Sequence, residues 1–185
     1  MSKFQLPIGA MLLGLMLAAP SQAAVTVIGG GMAQGCSQAA INGENDERYV
    51  ELCTLALETE YLKAKDRAGT FVNRGVLRLR RADYAEAQRD FNLALKLKND
   101  LGEAYVNRGA TAIAQQRYAD GLSDINRGLA LGVEEPEKAY YNRALAHEGL
   151  EDAKSAYYDY QKAAEIRPDW QAPKDQLTRF TVSRR

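Results

Sequence analysis

The sequence predicts an all-α protein, a solenoid of stacked helical hairpins, and three observations carry that prediction. Asn73, Asn107 and Asn142 recur at intervals of 34 and 35 residues, and the aromatic residues Phe71, Tyr105 and Tyr140 keep the same interval. Small residues hold the register at Gly75, Gly109 and Ala144, at Ala87, Gly121 and Ala156, and at Ala94, Gly128 and Ala163, with Phe91, Ile125 and Tyr160 between them. Within each period the apolar positions recur at three and four residues, the spacing of one helix face. A fixed period near 34 residues is the mark of stacked supersecondary units, none of which can bury its apolar face alone.

Residues 1–23 read as a secretory signal peptide. Lys3 precedes an apolar run from Ile8 to Ala19, and the small residues Ser21 and Ala23 mark cleavage after Ala23. The run is shorter than the roughly 20 residues of a membrane span, so the mature chain is expected to be exported without membrane insertion. The first cysteine, Cys36, follows "GGGMAQG" rather than an apolar lipid-attachment motif. Removing Lys3 from the 24 basic residues leaves 23 against 24 acidic ones, a formal charge of −1 that suggests neither nucleic acid nor an anionic membrane as partner.

Residues 24–35 are expected to be a flexible lead-in. Their glycines lack the Lys-Ser/Thr of a phosphate loop, so no nucleotide is expected and no cofactor of any kind. Residues 36–66 read as a divergent helical hairpin with a polar turn at 42–46, acting as an N-terminal cap. Two cysteines in an oxidising compartment are expected to pair, Cys36 with Cys53, closing a loop worth about 3 kcal/mol.

Residues 67–170 hold three repeats, at 68–101, 102–136 and 137–170, each two helices joined by a turn, the first turn falling near 81–83. The segments "FVNRG…YAEAQRDFNLALKL", "YVNRG…YADGLSDINRGLAL" and "YYNRA…AKSAYYDYQKAAEIRPD" resemble the tetratricopeptide repeat family, in the variety whose first helix reads Tyr-x-Asn-Arg-Gly, here as an exported bacterial protein. The second unit departs from the pattern with Gly121 and Gly128 where Ala is usual. Its following loop, "LGVEEPEK", carries one extra residue. Residues 171–185 are expected to form a capping helix starting near Pro173, with Trp170, Leu177 and Phe180 covering the last repeat.

The repeated motif supplies the candidate functional residues. Each motif Arg is followed 16 residues later by Asp: Arg74 and Asp90, Arg108 and Asp124, Arg143 and Asp159. The guanidinium fork suits a carboxylate, so these are read as structural ion pairs, within a unit or between neighbours. The basic run Arg78, Arg80 and Arg81 falls at a helix C-terminus, where cations complement the dipole.

The resemblance implies a right-handed superhelix whose first helices line a concave groove. There Asn73, Asn107 and Asn142 would form a ladder of amides, each able to bond an extended backbone through donor and acceptor. Val72, Val76, Val106, Ala110, Ile113, Tyr141, Leu145 and Lys138 would surround them. The alternative is that each Asn fixes the geometry of neighbouring helices. A clamp for a chaperone carboxyl terminus, known in some members of the family, maps onto Val72, Val76, Asn107, Lys138 and Asn142. Only Asn107 and Lys138 fit it, so it is rejected.

No catalytic residues are expected. The single histidine, His147, lacks a second His for a metal or a nucleophile at local spacing, and is expected to face the groove or the next repeat. The sequence thus points to a periplasmic module that is not an enzyme and binds a protein or an extended peptide in its groove. The alternative is a structural or assembly subunit of a cell-envelope complex, working through its convex face or its ends.

Overall fold

The computed structural model describes residues 3–5, 20–27 and 31–183. The apolar run 8–19 of the expected leader and the glycines at 29–30 lie outside the described residues. Nine helices follow one another among the described residues: α1 Met32–Ile41, α2 Glu47–Thr59, α3 Ala64–Arg80, α4 Tyr84–Leu97, α5 Gly102–Ala114, α6 Tyr118–Leu131, α7 Pro136–Gly149, α8 Ala153–Ile166 and α9 Gln171–Leu177. Helices α3/α4, α5/α6 and α7/α8 are the hairpins of the three repeats, and each second helix also packs on the first helix of the next unit.

Two boundaries differ from the sequence reading. Helix α1 begins at Met32, four residues ahead of Cys36, and α3 begins at Ala64 rather than Ala68. The early start of α1 has a local cause: the Glu60 carboxylate, just past the end of α2, accepts the Met32 and Ala33 amides and so satisfies donors at the α1 N-terminus. A short antiparallel ladder pairs Lys3–Gln5 (β1) with Thr181–Ser183 (β2), an addition to the all-helical expectation. Three-residue strands leave no periodicity in a sequence.

The turn inside each repeat recurs as faithfully as the motif. Ala82, Gln116 and Glu151 all have φ near +62°, at 63°, 61° and 62°. The following amide folds back onto the end of the first helix, Asp83 N–H to Arg78 O at 2.9 Å, Arg117 to Ala112 at 2.8 Å and Asp152 to His147 at 2.8 Å. This left-handed stop satisfies carbonyls that the helix leaves free.

Inside the units the small residues allow close approach. A Cβ added at Gly109 would sit 2.8 Å from the Gly121 carbonyl oxygen, and one at Gly121 would sit 2.9 Å from that of Gly109. A Cβ at Gly128 would likewise sit 2.8 Å from the Gly102 carbonyl oxygen, so the two glycines by which the second repeat departs from the family pattern, Gly121 and Gly128, both face backbone closer than Ala would permit.

The structure pairs each motif Arg with its Asp through two bonds from α3, α5 or α7 to the second helix of the same unit. The Nε and Nη2 distances are 3.0 and 2.7 Å for Arg74–Asp90, and both are 2.7 Å for Arg108–Asp124 and for Arg143–Asp159. The remaining nitrogen reaches the preceding unit, to Thr54 Oγ1 (2.9 Å), Asn92 Oδ1 (2.8 Å) and Asn126 Oδ1 (2.9 Å) respectively. One side chain thus serves both alternatives, tying its own hairpin and docking it on the previous one. Bonding to the carboxylates raises the pKa of Arg108 and Arg143. Each guanidinium also lies over the motif aromatic, Phe71, Tyr105 or Tyr140, at 5.1–5.5 Å.

The basic run does more than complement a dipole. Arg78 adds a second cation to Asp90 at 2.7 Å, Arg80 donates to the carbonyls of Ala40 and Glu44, and Arg81 reaches Asn45 O and Glu47. Arg80 and Arg81 thereby hold the turn between α1 and α2. Cys36 and Cys53 form a disulfide between α1 and α2. At the other end Trp170 stacks on Tyr141 (4.9 Å between ring centres), Phe180 meets Tyr157 and Tyr160, and α9 starts two residues before Pro173.

Candidate functional site

The motif position of Asn73, Asn107 and Asn142 places one amide on the inner side of each first helix, and all three are fully buried. What buries them is the chain's own segment 20–27, laid out without helical structure across the three repeats. Asn142 Oδ1 accepts the Ser21 amide at 2.7 Å while its Nδ2 donates to Ser21 O at 2.6 Å. Asn107 does the same for Ala23, at 3.0 and 2.6 Å, and Asn73 for Val25, at 2.8 and 2.7 Å.

Beyond the ladder, Ser37 on α1 extends the pattern, accepting the Val27 amide at 3.2 Å and donating to Val25 O at 2.9 Å. Lys138 Nζ donates to Gln22 O at 3.0 Å and pairs with Glu135.

The two-residue step has a simple origin. In extended backbone the N–H and C=O of alternate residues project to the same side, about 6.6 Å apart. One amide per repeat can therefore read one residue in two, each Asn replacing a strand neighbour. The segment runs against the order of the repeats, from the third back to the first. Ala23 and Val27 are 2% and 5% exposed, whereas Thr26 faces out. Gly69 leaves room for this passage, since a Cβ there would lie 3.1 Å from Val25 Cγ1 and 3.2 Å from Val27 Cγ2. On the other side Gln22, Ala24 and Thr26 edge a cavity of about 200 Å³ completed by Ala40, Ile41, Glu134, Glu135 and Lys138.

Several expectations change. Residues 24–27 are not a flexible lead-in, because Val25 and Val27 are bonded and Val27 is buried against Ala33 and Ala56. The expected open apolar floor is not open. Val72, Val76 and Ala110 are buried in the cluster on which Ala24 and Val25 pack. Val106 packs toward Gly128, and Tyr141 meets Tyr160 and Trp170. Ile113 and Leu145 join that second cluster. The residue before each Asn is turned about 100° around the helix, away from the groove.

His147 faces neither the groove nor the next repeat. Its ring lies 3.7 Å from Asp152 and 3.8 Å from Asp159, on the second helix of its own hairpin and the turn before it, and burial lowers its pKa against the pull of those carboxylates. Among the described residues no His, Cys, Asp and Glu group is arranged to hold a metal, and no helix is long and apolar enough to cross a membrane. Ser37 and the segment itself were missed by the sequence reading.

No family model matches the chain, and no curated protein matches it. Solved structures do. MamA 41-end from Desulfovibrio magneticus RS-1 is 21% identical with a TM-score of 0.60, over 80% of this chain and 82% of that one. The Arabidopsis OM64 TPR domain is 20% identical with a TM-score of 0.59, over 63% of this chain and 96% of that one. A crystal structure of MamA is 15% identical with a TM-score of 0.61, over 81% and 82%. At these identities the likeness speaks for architecture: the chain has the tetratricopeptide repeat fold, an all-α solenoid of helical hairpins.

Proposed function

We propose that this chain is an exported, periplasmic binding module that takes an extended peptide of a protein partner in its groove and reads the peptide backbone through Asn73, Asn107 and Asn142. The observation that carries the reading is that each of the three amides bonds both backbone groups of one residue of an extended segment. That pairing is indifferent to side-chain identity, so any extended chain with room for its alternate residues can occupy it. Export is supported by the leader-like N-terminus and by two cysteines that are both used in a disulfide.

A second reading has one observation in its favour. Leu93, Leu97 and Ile166 are exposed on the second helices, a surface an assembly subunit would use. Photo-crosslinking separates the two. With p-benzoylphenylalanine at position 138 or at position 93, the groove reading expects partner adducts from 138 alone, lost when Asn107 and Asn142 are changed to Ala. Adducts from 93 alone would overturn it.

A further inference from the structure

We infer that the folded repeats protect the Ala23–Ala24 peptide bond from hydrolysis, so that a leader peptidase can cut this chain only before residues 21–25 settle on the amide ladder. The inference rests on the export reading above and needs no partner in the groove. It puts two events in order, cleavage first and docking second. A chain that folds before it is cut keeps its leader, and with it a fully occupied ladder.

The residues a peptidase would recognise are the residues the repeats clamp. Leader cleavage selects small side chains three and one positions ahead of the bond, here Ser21 and Ala23. An extended chain is gripped through its backbone groups, with pockets for alternate side chains. In the folded protein those groups are already taken. Asn142 holds the N–H and C=O of Ser21, Asn107 those of Ala23 and Asn73 those of Val25, while Lys138 donates to Gln22 O. Ala23 is 2% exposed, which denies its side chain to the pocket of a second protein.

The bond itself is equally out of reach. Hydrolysis consumes one water: attack on the Ala23 carbonyl carbon breaks its bond to the Ala24 nitrogen and leaves a carboxylate on Ala23 and an ammonium on Ala24. As charge develops on the carbonyl oxygen, it must meet donors of the peptidase. That oxygen instead accepts a bond from Asn107 Nδ2 at 2.6 Å. The other edge of the segment gives no wider approach. Gln22, Ala24 and Thr26 border a cavity of about 200 Å³ whose remaining walls are Ala40 and Ile41 of α1 together with Glu134, Glu135 and Lys138 at the start of α7. Such a cavity is too small for the catalytic side chains of an enzyme and the backbone that carries them. Residues 21–25 must therefore leave the groove before they are cut, and the rate of cutting follows the population of that released form.

The experiment offers a purified bacterial leader peptidase two substrates in the same detergent micelles. One is the full chain, folded with its disulfide formed, and the other is a synthetic peptide of residues 1–30, which carries the same bond without the repeats. Mass spectrometry reads the position and the rate of cleavage. The expected result is a cut between Ala23 and Ala24 in both, at least about tenfold slower in the folded chain. Asn107→Ala with Asn142→Ala, shown to melt like the wild type, should bring the folded chain to within about threefold of the peptide. Should that variant not fold, Lys138→Ala is expected to speed cleavage severalfold. Asp124→Ala loosens the second hairpin without touching the segment and should stay near the wild-type rate. Equal rates for the wild-type chain and the peptide overturn the inference. Acceleration by Asp124→Ala as large as that by the Asn pair overturns it too, because protection would then belong to global stability rather than to the ladder. A peptide left uncut between Ala23 and Ala24 removes the leader reading itself, and the inference with it.

Discussion

The three motif Arg–Asp pairs share one bidentate geometry but differ in burial, and Asp90 holds a second cation, so removing the carboxylate should cost a graded amount. Asp90 is 1% exposed and holds two cations, Arg74 and Arg78, whose side chains are 12% and 20% exposed. Asp90→Ala strands both, and breaking a buried pair in this way costs about 3–5 kcal/mol. Asp124 is 19% exposed and Arg108 25%, so water screens the loss, which falls to about 1–2 kcal/mol for a bidentate but partly solvated pair. Asp159, at 9%, should lie between. For a chain of this size each kcal/mol moves Tm by about 2–4 °C. Calorimetry should therefore show Asp90→Ala melting about 6–20 °C below wild type, Asp124→Ala about 2–8 °C below, and Asp159→Ala between them. Equal shifts for Asp90→Ala and Asp124→Ala would refute the argument that burial sets the cost.

Three further outcomes follow from the same geometry. Gln116→Gly relieves a left-handed residue in the turn of the second repeat and should raise stability by about 0.5–1 kcal/mol, read as a higher Tm; a lower one would mean that the Gln116 side chain is needed. Because burial holds the His147 pKa below its ordinary 6.5, the unfolded chain takes up that proton more readily than the folded one. Its stability contribution is complete above about pH 6.5 and is lost as pH falls toward the folded value. Between pH 7.5 and 5.5 wild type should thus lose more Tm than His147→Gln, and parallel curves would contradict this. Reducing the Cys36–Cys53 disulfide should cost about 3 kcal/mol. Hydrogen exchange should also show faster exchange at Val27, whose amide is held by Ser37 on the same helix as Cys36; unchanged exchange there would uncouple the disulfide from the groove.

Some of this was legible from local pattern. The period of Asn73, Asn107 and Asn142 fixes the hairpin unit, because a helix that must pack on copies of itself needs the same small and large residues at the same places. The pairing of Arg74, Arg108 and Arg143 with an Asp 16 residues on was likewise readable, since the offset spans one turn between two helices. The partner of the third guanidinium nitrogen was half readable: Asn92 and Asn126 recur at the 34-residue interval, each two residues after its Asp, whereas Thr54 lies outside the repeats and meets Arg74 only through stacking.

What the sequence by itself determined is therefore the repeat: its length, its two helices, its buried ion pair and its inward amide. These are properties of contacts within one period, and a period repeats its chemistry wherever it is stacked. The tertiary structure alone decided what the amides face. The bonds from Asn73, Asn107 and Asn142 to Val25, Ala23 and Ser21 span 48, 84 and 121 residues. They are made to backbone atoms, which every residue carries alike, so no side-chain pattern in residues 20–27 could announce them. They exist because the stacked helices bring one amide per unit to the spacing of alternate residues in an extended strand, and that spacing belongs to the superhelix rather than to any single repeat.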